Sequence, residues 1–257
     1  MQLPPTMLYE KRDRIAIITI NRPEALNAFT PDMLRAMDAA FADFNKDPNL
    51  WVAIFTAKGD KSFCAGMDLK EAIGLVTSGD EMGYEDHTKR PFSDVFKPII
   101  AAVNGFCIAG GLEFLQGTDI RIASENATFG LGEVRWGIIP TGGSHIRLPR
   151  QIPWAVAMEL LLTGKPITAK RAYDIGLVNE VVPLDQLMPT ALKWAETICK
   201  NGPLAVRTAK EIAVRALELE SGFVLEKALG ARVMGSEDAR EGPAAFAEKR
   251  PPKFTGR

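Results

Sequence analysis

The run Ile15–Ile20 (IAIITI) constrains the fold more than any other stretch, because every position is apolar or β-branched. A short run of this kind reads as a buried strand, and Asn21-Arg22-Pro23 closes it in a turn. Thr30-Pro31-Asp32 carries the marks of a helix start: a capping hydroxyl, Pro at the first position, and an acid in the first turn. Met33, Met37, Ala40, Phe41 and Phe44 recur at helical spacing, so this helix buries one face. Trp51–Ala57 (WVAIFTA) is a second buried strand. Strand, helix, strand implies a crossover, and with it a layered α/β unit.

The theme returns further along. Ile99–Val103 (IIAAV) reads as a strand that breaks at Asn104-Gly105 and continues through Phe106–Ile108. Ala109-Gly110-Gly111 opens a helix through Gln116, and Asp119–Ala123 (DIRIA) is a further strand. Thr77–Lys89 is polar and reads as a surface segment that solvates His87. After Pro153 the periodicity turns helical, over Ala155–Leu162, Ala169–Asp174, Asp185–Lys200, Leu204–Leu219 and Gly222–Met234. Phe223, Val224, Leu225 and Leu229 exceed one stripe, so this tail packs either on its own core or on a partner subunit. The expected organisation is an α/β core over residues 1–195 and a helical region over 196–257.

Much chemistry is excluded. The only two histidines, His87 and His145, rule out a multi-His metal site, and there is no HExxH. Cys64, Cys107 and Cys199 are far apart and form no CxxC pair, so they read as structural thiols of a reducing compartment. No phosphate loop occurs, and Gly130-Leu131-Gly132 is only a fragment of a dinucleotide fingerprint. Gly142-Gly143-Ser144-His145 lacks the spacing of a nucleophile elbow. A formal charge of −1 argues against nucleic acid or an anionic membrane as the main partner. No apolar run approaches the ~20 residues of a membrane span. The N-terminus lacks the basic-then-apolar order of a signal peptide, and the expected location is the cytoplasm.

The remaining chemistry rests on backbone amides and carboxylates. In Ser62–Glu71 (SFCAGMDLKE) an apolar run meets Gly66, and a helix is expected to begin near Asp68. In Asn104–Glu113 (NGFCIAGGLE) a strand again ends in glycines at a helix start. Free N–H groups and the positive helix end suit such junctions to negative charge, and two facing each other make an oxyanion hole. Glu113 lies in the first turn of an apolar helix; it is either a partner of the helix dipole or a buried acid–base group. Glu133 follows Phe129-Gly130-Leu131-Gly132, a segment without other acids. Buried carboxyls have raised pKa values and exchange protons near neutral pH.

FCAGMDLKE, IIAAVNGFCIAGGLEF, DIRIASENATFGLGEVRWGIIPTGGSHIRLPR and ITAKRAYDIGLVNEVVP occur in this order, between ITINRPEALNAF and AFAEKRPPKF. Together they resemble the crotonase superfamily, and within it the enoyl-CoA hydratase branch. The resemblance implies a spiral of repeated ββα units with a C-terminal helical region that assembles trimers, usually paired into hexamers. It implies an acyl-CoA thioester substrate and no cofactor or metal. The oxyanion donors fall on the backbone N–H groups of Met67 and Gly110. Glu113 would activate the water that attacks Cβ, and Glu133 would protonate Cα. Coenzyme A contacts fall on Ala25 and Leu26, on Ala65 and Asp68, and on Phe246 and Lys249, the last pair reaching a neighbouring subunit. Arg22 is a phosphate partner by charge, or a solvated turn residue.

Some positions depart from the pattern. Thr141 stands in the water-site segment where the hydratases usually carry Gly, and Leu112 replaces a small residue beside Glu113. Trp136 is larger than the usual aliphatic residue; with the Phe92–Phe96 region it either shapes the acyl pocket or packs in the core. The pair of glutamates points to a 2-enoyl-CoA hydratase. The alternatives are a Δ3–Δ2 enoyl-CoA isomerase, which keeps the Glu133 position alone, and a non-catalytic acyl-CoA-binding oligomeric scaffold.

Overall fold

The computed structural model describes residues 3–68 and 86–256. The helix expected to begin near Asp68, with Lys70 and Glu71, and most of the polar Thr77–Lys89 segment lie outside the described residues. The strands are β1 (Met7–Arg12), β2 (Ile15–Ile20), β3 (Val52–Ala57), β4 (Ser62–Cys64), β5 (Ile99–Val103), β6 (Phe106–Ile108), β7 (Ile120–Ser124), β8 (Thr128–Gly130), β9 (Ile167–Thr168) and β10 (Glu180–Val182). The helices are α1 (Pro31–Lys46), α2 (Gly110–Gln116), α3 (Ser144–Gln151), α4 (Trp154–Thr163), α5 (Ala169–Asp174), α6 (Leu187–Cys199), α7 (Pro203–Arg215), α8 (Glu220–Met234) and α9 (Glu237–Ala247).

A six-stranded sheet runs β1-β2-β3-β5-β7-β10, parallel except for the β1–β2 hairpin. Strands β2, β3 and β5 are apolar at both parities because both faces are covered there. Ala16, Ile18, Ile20, Phe55, Ala101 and Val103 face the main core with α1. Ile15, Val52, Ile54, Ile100, Ala102 and Ile122 face the other way, onto Leu187, Ala191 and Ala195 of α6. The expected boundary at residue 195 therefore falls inside a helix that covers the sheet. Thr30 caps α1 through a hydrogen bond from Met33 N, and Phe41 of this helix meets Phe55, which meets Phe63 of β4. Each such buried ring contributes about 1.5–3 kcal/mol before the entropy of ordering it.

The smaller sheet runs β4-β6-β8-β9, the first three strands parallel. The chain steps from the large sheet to the small one at β3–β4, β5–β6 and β7–β8, which is a spiral of repeated units. Phe106–Ile108 accordingly does not continue the Ile99–Val103 strand, as the sequence suggested, but leaves it for the other sheet. This stepping sets the site. Adjacent parallel strands bring their C-terminal ends to one edge. The end of β4 leads to Met67, that of β6 to Gly110 and Glu113, and that of β8 to Glu133.

Candidate active site

Two backbone amides meet where β4 and β6 end. Phe29 pairs with the strand end by donating to Gly66 O at 2.8 Å and accepting from Asp68 N at 2.8 Å. A parallel bridge of this kind uses the residues on either side of Met67, so the N–H of Met67 points the opposite way. On that side lies Gly110: a Cβ placed there would sit 3.7 Å from Gly66 Cα and 4.0 Å from Met67 N. Gly110 begins α2, where no intrahelical acceptor exists for its N–H. Gly66 has φ +97°, which only glycine adopts easily, and Ala109 holds φ +53°, ψ −126°. The structure thus brings Met67 and Gly110 together and turns the local backbone to do so.

Glu113 is buried one turn into α2. Its Oε1 accepts from Gly142 N at 2.7 Å and from Ser144 N at 3.4 Å. Burial pushes this carboxyl up to about 7, the nearby Glu226 charge adds to the rise, and the two amides and His145 oppose it. Glu133 opens a short 3₁₀ turn, Glu133–Trp136, and is also buried. Burial, then the charge of Glu113, pushes it up to about 8. Its Oε2 has no hydrogen-bond partner among the described residues. The two carboxyls titrate as one unit. The amide donors favour the anion at Glu113, whereas Glu133 Oε2 has none among the described residues.

The segment expected to hold the water closes on Glu113 through Gly142, with Thr141 beside it. A Cβ on Gly142 would stand 2.7 Å from Glu113 Oε2, so only glycine brings its amide so close. Thr141 is half-buried beside it. Ser144 is not part of a Ser–His pair; its Oγ accepts from Gln116 Nε2 at 2.8 Å.

Arg22 is neither solvated nor uncommitted: its Nη1 donates to Asp68 at 2.7 Å and to Ala28 O at 3.1 Å. Ala25 ends the 3₁₀ turn Pro23–Ala25, and the exposed Leu26 follows in a left-handed conformation. The Asn27 amide ties this loop to Lys58 O and Ser62 O at 2.9 and 2.6 Å. Ala65 N donates to Leu26 O at 3.2 Å, so Ala25, Leu26, Ala65 and Asp68 form one continuous rim beside Met67. Phe246 and Lys249 lie elsewhere on the surface. Phe246 meets Trp136 of the same chain edge-on at 4.8 Å, and both line a groove of about 530 Å3 with Arg135, Lys249 and Arg250. Phe92 is half-buried and packs against Phe41 and Phe55 of the core.

Two further residues, Glu226 and Arg90, were not read from the sequence. Glu226 of α8 is buried in an ion pair with Arg90 at 3.1 Å and lies 2.9 Å from His145 Nδ1. Its only sequence signal is that it shares a helical face with Phe223 and Gly230. Removing one partner of such a buried pair costs about 3–5 kcal/mol. His87 stands beside Lys227 and is half-buried rather than solvated. Among the described residues, no group of three or more His, Cys, Asp or Glu is arranged to hold a metal ion, and no helix is long and apolar enough to cross a membrane.

A spiral of this topology, with paired amides and buried carboxyls at one strand edge, is the crotonase architecture. The family profile described as Enoyl-CoA hydratase/isomerase matches residues 10–257, and the chain belongs to that family. Enoyl-CoA hydratase EchA19 of Mycobacterium tuberculosis is 44% identical, over 98% of this chain and 97% of its own. The (E)-benzylidenesuccinyl-CoA hydratase of Thauera aromatica is 38% identical, over 99% and 100%. The crystal structure of carnitinyl-CoA hydratase from Mycobacterium avium matches with a TM-score of 0.89 at 39% identity, covering 99% of this chain and 100% of that one.

Proposed function

We propose that this protein adds water across the 2,3 double bond of a 2-enoyl-CoA thioester, or removes it from the 3-hydroxyacyl product. The observation that carries this reading is the unequal pair: Glu113 held by two amides, and Glu133 with an oxygen left without a partner. Ionised Glu113 takes a proton from water as its oxygen bonds to C3. The π electrons move through C2 onto the thioester oxygen, where the N–H groups of Met67 and Gly110 receive the charge. Protonated Glu133 then gives its proton to C2. One water is added, and the two carboxyls exchange their protonation states before solvent resets them.

Each oxyanion donor contributes about 2.7–4 kcal/mol to such a step, and each acid–base group roughly 10²–10⁴ in rate. The chemistry needs no cofactor; coenzyme A belongs to the substrate. Ala25, Leu26, Ala65 and Asp68 line its path, with Phe246 and Lys249 at a second contact, and Trp136 and Thr141 bordering the acyl and water sites. Arg22 serves this path by fixing Asp68. An isomerase uses the Glu133 carboxyl alone and leaves the amide-held Glu113 without work. Residues 196–257 supply most of the face by which copies assemble as trimers or hexamers, and the protein acts in the cytoplasm.

The test is spectrophotometric. The conjugated thioester of a trans-2-enoyl-CoA loses its absorbance on hydration. Glu113→Gln and Glu133→Gln each lower turnover by at least about 10²-fold while thioester binding persists. Undiminished turnover in both variants rejects the two-carboxyl mechanism. Tight binding with no product by mass spectrometry would favour the scaffold.

A further inference from the structure

Helix α8 packs one face on the loop that serves Glu113. Gly222 lies against Ile146, whose side chain is 2.9 Å from where a Cβ on that glycine would stand. Arg90 and the Phe223 ring close on Gly143, each 3.1 Å from the same notional atom there. One turn further, the buried Glu226 carboxyl meets His145 Nδ1 through Oε1 at 2.9 Å, and accepts from Arg90 Nε and Nη2 through Oε2 at 3.2 and 3.1 Å. Arg90 Nη2 also donates to Phe223 O at 3.1 Å, tying the cluster to the helix backbone. These contacts grip residues 143, 145 and 146, and between and beside them lie the two amides that Glu113 accepts from.

We propose that Glu226, held by Arg90 and joined to His145, is a positioning group for Glu113. It fixes the Gly142–Ser144 amides on that carboxyl and supplies a buried negative charge that the carboxyl faces. The inference rests on the hydratase reading of Glu113. Among the described residues, the charged and titratable groups that face Glu113 are Glu133 from the turn after β8, His145 from α3 and Glu226 from α8, with Arg90 behind Glu226. Packing alone does not call for a carboxylate here, since apolar groups of similar volume stabilise such a place equally well or better. What the charge alters is the ease with which Glu113 gives up its proton.

The test is kcat/KM for hydration as a function of pH, with the full-length protein. E226Q keeps the side-chain shape and removes the charge that pairs with Arg90. The acidic limb of the profile moves to lower pH by about one unit. E226D retains the charge and keeps the limb at its wild-type position, at a lower kcat. H145N leaves the Arg90–Glu226 pair in place and moves the limb the opposite way. If E226Q does not fold, E226M, apolar and of similar volume, removes the same charge and carries the test. A limb that stays fixed while kcat/KM falls by one factor at every pH overturns the proposal, because that is the signature of a brace and nothing more. Failure of the hydratase reading is a separate outcome: E113Q would then keep its turnover, whatever E226Q does.

Discussion

The amide of Gly142 donates to Glu113 Oε1 at 2.7 Å, and a methyl on Gly142 would collide with the other oxygen of the same carboxyl. Contact on this scale leaves Glu113 one productive pose. Gly142→Ala must therefore either turn the carboxyl away or displace the Thr141–Ser144 loop. The expected outcome is at least about a hundredfold loss of kcat, with stability lowered by the roughly 1–3 kcal/mol of an overpacked site. Thermal unfolding and the enoyl-CoA absorbance assay read the two effects. A variant with wild-type kcat would show that Glu113 works from another pose.

Gly110 presents the opposite case. A Cβ there meets Gly66 and Met67 only at 3.7–4.0 Å, which is ordinary contact, so Gly110→Ala is expected to fold with an unfolding temperature close to wild type. The methyl nevertheless lies beside the two amides between which the thioester oxygen is proposed to sit. Turnover falls by about tenfold or more with thermal stability kept, the loss expected from a displaced oxyanion. If turnover survives alongside stability, the oxyanion does not sit between Met67 and Gly110.

What the sequence reveals of this site follows from locality. Glu113 and Glu133 stand out because each is a lone acid inside an apolar or glycine-rich stretch. The long strands of the large sheet announce themselves by apolar residues at both parities. Strands β4, β6 and β8 have three residues each, too short to show a period, yet they carry the site. Strand β1 (MLYEKR) is covered on one side only and its charges hide it. Glu226 was beyond reach for another reason: Arg90 is 136 positions away and His145 81, so nothing local marks the pairing.

Helix α8 turns Phe223 and Glu226 inward, while Leu225 and Leu229, one turn apart, are 56% and 51% exposed. Leu204 and Ile212 of α7 are exposed as well. A second copy of the chain is the expected cover. Light scattering at micromolar concentration is expected to report three or six chains per particle, and Leu225→Glu with Leu229→Glu a smaller one. A monomeric wild type would leave these side chains unexplained and remove the assembly reading of residues 196–257.

The raised Glu133 carboxyl makes stability depend on pH in an unusual direction. In the unfolded chain this group ionises near 4.5, whereas in the folded chain it holds its proton to about 8. The unfolded state therefore loses its proton first as pH rises. The stability Glu133 contributes is full below about 4.5 and is lost progressively as pH rises through the folded value. Glu113 acts in the same sense, more weakly, because its amides stabilise the anion. Glu133→Gln removes the burden of ionising a buried group. It is expected to be more stable than wild type at pH 8, by an amount on the order of a few kcal/mol, with the gap closing at pH 5. Calorimetry at the two pH values decides it: a gap of equal size at both would mean that Glu133 ionises normally and is no proton donor near neutrality. The same variant should be nearly inactive, so stability gained and activity lost would trace to one carboxyl.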